Sequence, residues 1–206
     1  MHDYLSIAHR DLEFINGAVV KEYASVVKHL DASYNRLSDR SLGPIGAFDQ
    51  LESLVLDGNQ LTSNVVLPKL QRLHSLSVSK NRIQTISIFI EKLRINMPNL
   101  RFLCMLQNEA CPNYFFHKSI EEYQEYRYYV ISRLPCLSIL DTAPVSDEER
   151  FEARKLYGTQ SAQNQNINPR QIQADSKAAS FASSSSAVDQ SWASRPGSKN
   201  TGDFDG

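Results

Sequence analysis

The sequence predicts an α/β solenoid, a short curved parallel sheet with a helical or irregular outer side, closed by a helical cap and followed by a tail. Three observations carry that reading. The pattern L-x-x-L-x-L-x-x-N-x-L fits the chain four times. The copies start 24, 22 and 27 residues apart, from Val27 to Leu51 to Leu73 to Leu100, a period at which one unit stacks on the next. Beyond residue 157 the composition turns to Ser, Gln and Asn.

Taken in order, Leu5, Ile7 and Leu12 read as a degenerate first unit without an asparagine. The full units follow: Val27, Leu30, Ala32, Asn35 and Leu37; Leu51, Leu54, Leu56, Asn59 and Leu61; Leu73, Leu76, Val78, Asn81 and Ile83. The fourth is Leu100, Leu103, Met105 and Asn108, with Ala110 in the last slot. In each, L-x-L is a strand whose alternate side chains point inward, because successive side chains leave a strand on opposite faces. A single strand of this kind cannot bury its apolar face, and stacked repeats can. Asn35, Asn59, Asn81 and Asn108 fall where the chain turns. Their amides are placed to form an internal ladder that satisfies backbone groups otherwise stranded in the core.

Between residues 83 and 97, Ile86, Phe89, Ile90 and Leu93 recur at helical spacing before Pro98, so this repeat returns through a helix. The cap spans about residues 118–157. Ser119-x-x-Glu122 opens a helix with the stripe Ile120, Tyr123, Tyr126, Val130 and Leu134, and Ser146-x-x-Glu149 opens a second through Phe151 and Leu156. Between them Leu134, Leu137 and Ile139 read as the inward residues of a closing strand. The aromatics Tyr114, Phe115, Phe116, Tyr123, Tyr126, Tyr128 and Tyr129 read as cap packing, with Tyr128 off the stripe and exposed.

The repeat domain is therefore placed at residues 1–157 and a disordered tail at 158–206. Those 49 residues hold ten serines and five Leu, Ile, Val or Phe, too little apolar surface to offset ordering. Trp192, the one tryptophan, reads either as the anchor of a short linear motif or as an accident of composition. Ser183 to Ser186 are candidate phosphorylation sites that any serine-rich tail would offer.

The strand residues between inward leucines form the concave face: Tyr4, Ser6 and Ala8; His29, Asp31 and Ser33; Ser53, Val55 and Asp57; Ser75, Ser77 and Ser79; Phe102, Cys104 and Leu106; Cys136, Ser138 and Leu140. The expected protein-binding set is Phe102, Cys104, Leu106, Leu140, Val55, Asp57, His29 and Asp31, with an apolar cluster of Phe102, Cys104, Leu106 and Leu140 at the C-terminal end.

Chemistry is expected to be absent. His29, Asp31 and the serines resemble a triad, but a flat strand face supplies no nucleophile elbow or oxyanion hole. Cys104, Cys111 and Cys136 show neither C-x-x-C pairing nor a His at zinc spacing. No phosphate loop appears, so neither cofactor nor metal is expected. With 22 Lys+Arg against 23 Asp+Glu there is no basic footprint for nucleic acid. The N-terminus lacks a signal core, and Ile86 to Ile90 is too short to span a bilayer. A soluble, cytoplasmic, monomeric protein is the expectation.

The stretch Tyr126-Arg-Tyr-Tyr-Val-Ile-Ser-Arg-Leu-Pro-Cys-Leu-Ser-Ile-Leu-Asp141, with Val145 and Glu149-Arg150, resembles the C-terminal cap of SDS22-like intracellular leucine-rich-repeat proteins. That cap recurs in the splicing protein U2A-prime and in acidic nuclear phosphoproteins. Asn108-Glu-Ala-Cys-Pro-Asn113 and Tyr4-Leu-Ser-Ile-Ala-His-Arg-Asp-Leu12 resemble more closely the leucine-rich melanocyte differentiation-associated family, over about residues 4–156. The resemblance implies an adaptor in endosomal or melanosomal trafficking, with a Rab-type small GTPase or an endosomal sorting complex as partner. The tail departs from the long tails of that family. The alternative is a nuclear splicing or chromatin scaffold, which would carry a basic cluster or an acidic tail.

Overall fold

The structure is a computed structural model that describes residues 3–112 and 119–158. The tail from residue 159, Trp192 and the serine run with it, and Asn113, Tyr114, Phe115 and Phe116 lie outside the described residues. Seven strands form one sheet in chain order: β1 (Tyr4–Ser6), β2 (His29–Asp31), β3 (Ser53–Val55), β4 (Ser75–Ser77), β5 (Phe102–Cys104), β6 (Ile139–Leu140) and β7 (Ala143–Pro144). The first six pair in parallel and β7 turns back antiparallel.

Strands β1 to β5 are three residues long because only the middle residue of each is asked to enter the core. Leu5, Leu30, Leu54, Leu76, Leu103 and Leu140 stand in register across the sheet. Ile7, Ala32, Leu56, Val78 and Met105 make a second buried row behind them. Return segments differ in form. One is the short helix α1 (Gly17–Tyr23), capped by the Asn16 side chain. The next is a 3-10 turn (Gly43–Ala47) that buries Ile45 beside Leu42 and Phe48. The longest is α2 (Ile86–Asn96), which buries Phe89, Ile90 and Leu93.

The four repeat asparagines are all buried. Asn59 Oδ1 accepts the Leu37 N–H at 3.0 Å, and its Nδ2 donates to the carbonyls of Leu56 and Ala32. Asn81 serves Leu61, Val78 and Leu56 in the same way, and Asn108 serves Ile83, Met105 and Val78. Asn35 takes both the Arg10 and the Leu12 N–H, so it supplies the turn of the first unit, which has no asparagine. The carbonyls of Ala32, Leu56 and Val78 therefore each accept from two successive asparagines. That couples every repeat to the next through buried hydrogen bonds.

Immediately before each asparagine position the backbone is left-handed: His9, Tyr34, Gly58, Lys80 and Gln107 have φ between 51° and 65°. Four of the five are not glycine, so the turn holds a conformation that L-residues adopt at some cost. Gly58 is the exception for a visible reason. The Tyr34 ring lies over it, and a Cβ there would fall 2.6 Å from a ring carbon.

The cap consists of α3 (Ile120–Arg133) and α4 (Asp147–Tyr157), and each helix opens on a complete capping box, Ser119 with Glu122 and Ser146 with Glu149. Tyr126, Val130 and Ile131 are buried, whereas Ile120 is 81% exposed and leaves the stripe. Buried Arg127 fills the space between the two helices and the β6–β7 turn. It pairs with Glu149 and donates to the carbonyls of Leu140 and Pro144. Beyond it, Pro144 presents no N–H along the last strand, which helps end the sheet.

The closing strand sits in a different register from the one expected. Leu137 and Leu140 are buried, and Cys136, Ser138 and Ile139 are exposed. Leu134-x-x-Leu137-x-x-Leu140 satisfies L-x-x-L twice, and the second match is the one that aligns with Leu100-x-x-Leu103. The carbonyl of Arg101 accepts from both Ser138 and Ile139, as the carbonyl of His74 does from Arg101 and Phe102. Ile139 thus pairs with Phe102 and Leu140 with Leu103. A shift of this kind moves side chains to the other face.

Candidate protein-interaction surface

Opposite the helices, the sheet presents three rows of side chains that cross the strands. The register puts Tyr4, His29, Ser53, Ser75, Phe102 and Ile139 in one row. Ser6, Asp31, Val55, Ser77 and Cys104 form the next. Continuing the ladder gives Ala8, Ser33, Asp57, Ser79 and Leu106, held by Lys80 N–H to the Leu106 carbonyl and Gly58 N–H to that of Ser79. Parallel strands about 4.8 Å apart therefore bring Phe102, Cys104, Leu106 and Ile139 into one patch. The first three are half-buried and Ile139 is 39% exposed.

Leu140 does not belong to this patch. It is 0% exposed and packs in the core, and Ile139 occupies the surface position expected for it. Cys136 likewise lies in the turn before β6, away from Cys104 in the row order. The signal that would have found Ile139 is the second L-x-x-L match. Val55, Asp57, His29 and Asp31 do reach the face, each half-buried.

The middle of the face is polar and internally braced. Asp57 Oδ1 accepts from Ser77 Oγ at 2.6 Å and from the Ser79 N–H at 2.8 Å. Asp31 accepts from the Ser33 N–H. Ser79 Oγ lies 3.1 Å from Cys104 Sγ. Among the described residues, no hydrogen bond joins His29 to Asp31 or to a serine, so the triad look-alike is not assembled. Neither Asp31 nor Asp57 is in an ion pair among those residues.

One edge of the face carries a feature the repeat pattern did not disclose. His9 stacks on Tyr34 with ring centroids 4.6 Å apart and planes 9° from parallel. Lys80 Nζ donates to Tyr34 Oη at 3.1 Å. These are left-handed residues of one row of turns, with Gly58 between Tyr34 and Lys80, which explains their alignment along the solenoid.

At the C-terminal end a buried polar knot closes the core. Asp141 Oδ1 accepts the Met105 N–H at 2.9 Å, and Oδ2 accepts from Tyr123 Oη at 3.2 Å with the Cys111 thiol nearby. Burial pushes the Asp141 carboxyl above its ordinary value, against the pull of the Met105 N–H. Burial also lifts Tyr123 to about 12, with the Asp141 charge adding to it, and raises the Cys111 thiol in the same way. Conversely, Arg127 holds the Glu149 carboxyl low. Among the described residues Cys104, Cys111 and Cys136 form no disulfide. Among the described residues no group of three His, Cys, Asp or Glu is placed to hold a metal ion, and no helix is long and apolar enough to cross a membrane.

A six-strand parallel ladder, an asparagine spine and a two-helix cap define a leucine-rich-repeat protein. It is similar to the Leucine-rich melanocyte differentiation-associated protein of Homo sapiens, with 43% identity over 129 residues, which is 61% of this chain and 65% of that one. It is also similar to U2 small nuclear ribonucleoprotein A' of Arabidopsis thaliana, 27% identical over 172 residues, 79% of this chain and 62% of the relative. The chain spans less than two thirds of the length of either. A solved structure, the Drosophila melanogaster SNF/U2A' complex, matches with a TM-score of 0.57 at 20% identity over 76% of this chain and 82% of that one, which shows the shared fold. No family model matches the chain.

Proposed function

We propose that this protein is a non-enzymatic adaptor that receives a protein partner on the helix-free face of its sheet, centred on Phe102, Cys104, Leu106 and Ile139. The single observation that carries the reading is that patch, four neighbouring side chains left partly open beside the serines and the aspartate at the middle of the face, Ser53, Ser75, Ser77, Ser79 and Asp57. Interfaces concentrate their energy in such clusters. A protein-interaction role also agrees with the kind of relatives found, a differentiation-associated protein and a ribonucleoprotein component.

We propose further that the adaptor works in the cytoplasm, in melanosome or endosomal trafficking; the link to pigment-cell differentiation is supported by the name of the human relative alone. A Rab-type small GTPase or an endosomal sorting complex is the partner in that reading, and the protein acts as a monomer without nucleic acid. A second reading, a nuclear scaffold, is favoured by the ribonucleoprotein relatives and by the solved U2A' of similar fold, which is in a complex with SNF. Proximity labelling of the intact protein separates the two: endosomal neighbours support the first and spliceosomal neighbours the second. For the surface itself, Phe102→Ala with Leu106→Ala is expected to abolish partner capture while the unfolding midpoint stays close to that of the parent. Undiminished capture by the double variant overturns the assignment.

A further inference from the structure

We infer that the open face has an occupant within the same chain: the segment around Trp192, which docks its indole on the Phe102–Leu106 patch and sets Arg195 against Asp57. The inference rests on the open face being the docking surface, and it adds what fills that surface when no partner is present.

Spacing is the first argument. Asp57, Ser79 and Leu106 lie in one row across β3, β4 and β5. Two strand spacings separate Asp57 from Leu106, roughly 10 Å. Trp192 and Arg195 are three residues apart, and an extended chain covers roughly 10 Å in three residues. A segment crossing the strands therefore brings its aromatic and its guanidinium to the apolar patch and the carboxylate together.

Charge is the second. The face offers Asp31 and Asp57, neither in an ion pair among the described residues. Of the aromatics beyond residue 158, Phe181 is flanked by serine and alanine, and Phe204 sits between Asp203 and Asp205. Only Trp192 is followed by cations, Arg195 and Lys199. An acidic face selects it over the other two. Arg also offers a forked donor suited to a carboxylate.

Reach is the third. The β6–β7 turn lies at the patch end of the sheet, and α4 begins three residues after β7. Eleven helical residues carry the chain about 16 Å. Gly158 and Trp192 are 34 residues apart in the sequence, and chain statistics for a linker of that length give an end-to-end distance of roughly 30 Å, enough to return. A tether of this kind supplies an effective concentration of about 1 mM, so even a weak contact is populated. A partner must then displace the segment, which makes the contact autoinhibitory.

Trp192 is the only tryptophan, so the full chain reports on itself. Emission and acrylamide quenching, excited where tyrosine does not absorb, are compared with those of a synthetic peptide of residues 185–199. The expected result is blue-shifted emission and reduced quenching in the full chain, independent of protein concentration. Phe102→Ala with Leu106→Ala, Asp57→Asn, and Arg195→Gln should each return the signal toward that of the peptide. Arg195→Gln lies outside the repeat domain and leaves its fold intact. Four outcomes overturn the inference: emission equal to that of the free peptide, protection insensitive to all three variants, protection that grows with concentration and so marks a second copy, or a solvated Trp192 beside a patch covered by residues 113–118. A solvated Trp192 together with Phe102- and Leu106-dependent partner capture would overturn this contact while leaving the adaptor reading standing.

Discussion

Replacing Asn81 by alanine removes one rung of the spine, and the hydrogen-bond pattern fixes what that should cost. The Leu61 N–H loses its acceptor at 3.0 Å and is left buried without a partner, worth about 1–3 kcal/mol. The carbonyls of Leu56 and Val78 lose one donor each but keep another, from Asn59 and Asn108, so each loss is nearer 0.5–1 kcal/mol. The total is about 2–5 kcal/mol, a large part of the roughly 5–15 kcal/mol that holds a domain together. The same pattern predicts coupling. Asn59→Ala with Asn81→Ala strips both side-chain donors from the Leu56 carbonyl, so the pair should cost about 1 kcal/mol more than the sum of the singles. Asn35→Ala with Asn81→Ala shares no carbonyl and should add. Urea unfolding followed by circular dichroism measures both cycles, with sulfate added to keep the double variants folded. A loss under about 1 kcal/mol for Asn81→Ala, or equal coupling in the two cycles, would refute the shared-carbonyl account.

Three further outcomes follow from the cap and the turns. Leu140→Ala should cost about 2–5 kcal/mol because it empties a core site, while Ile139→Ala should shift the urea midpoint little. Gly58→Ala should destabilise by about 1–2 kcal/mol, since φ of +65° and the Tyr34 ring both oppose a methyl; Tyr34→Ala in the same background should recover part of that loss. Asp141→Ala strands the Met105 N–H and should cost about 1–3 kcal/mol, whereas Asp141→Asn keeps an acceptor there and should be close to neutral. The raised Asp141 carboxyl means the folded chain holds a proton the unfolded chain has released. Its contribution to stability is therefore present below the ordinary carboxylate value and declines as pH rises through the raised one, and Asp141→Asn should flatten that limb of a pH–stability profile.

The repeats were legible because their signal is periodic and redundant. Leucines at L-x-L and an asparagine three residues on give the strand, its inward face and the ladder from spacing alone. The helix over Ile86, Phe89, Ile90 and Leu93 and both capping boxes could be read for the same reason. What was hidden is local or ambiguous. Leu134, Leu137 and Leu140 offer two equal registers, and only pairing with β5 decides between them. Ile120 fits a stripe by spacing yet lies on the first turn of α3, past the edge of what the helix covers. Arg127 reads as a polar residue in an apolar helix until the Glu149 carboxylate and two carbonyls are brought to it. The left-handed row from His9 to Gln107 has no shared residue type, because the turn dictates backbone geometry and leaves the side chain free. On the open face, the sequence named Phe102, Cys104 and Leu106 and missed Ile139 through that same register.

The central claim is that a protein partner binds the helix-free face at its C-terminal end. Site-specific photo-cross-linking in cells tests it most directly, with a photoreactive side chain at Ser77, at the centre of that face, and at exposed Ile95 on α2. The account predicts one discrete protein adduct from Ser77, lost when Phe102 and Leu106 are changed to alanine, and none from Ile95. An adduct from Ile95 that survives those substitutions, with none from Ser77, would contradict it.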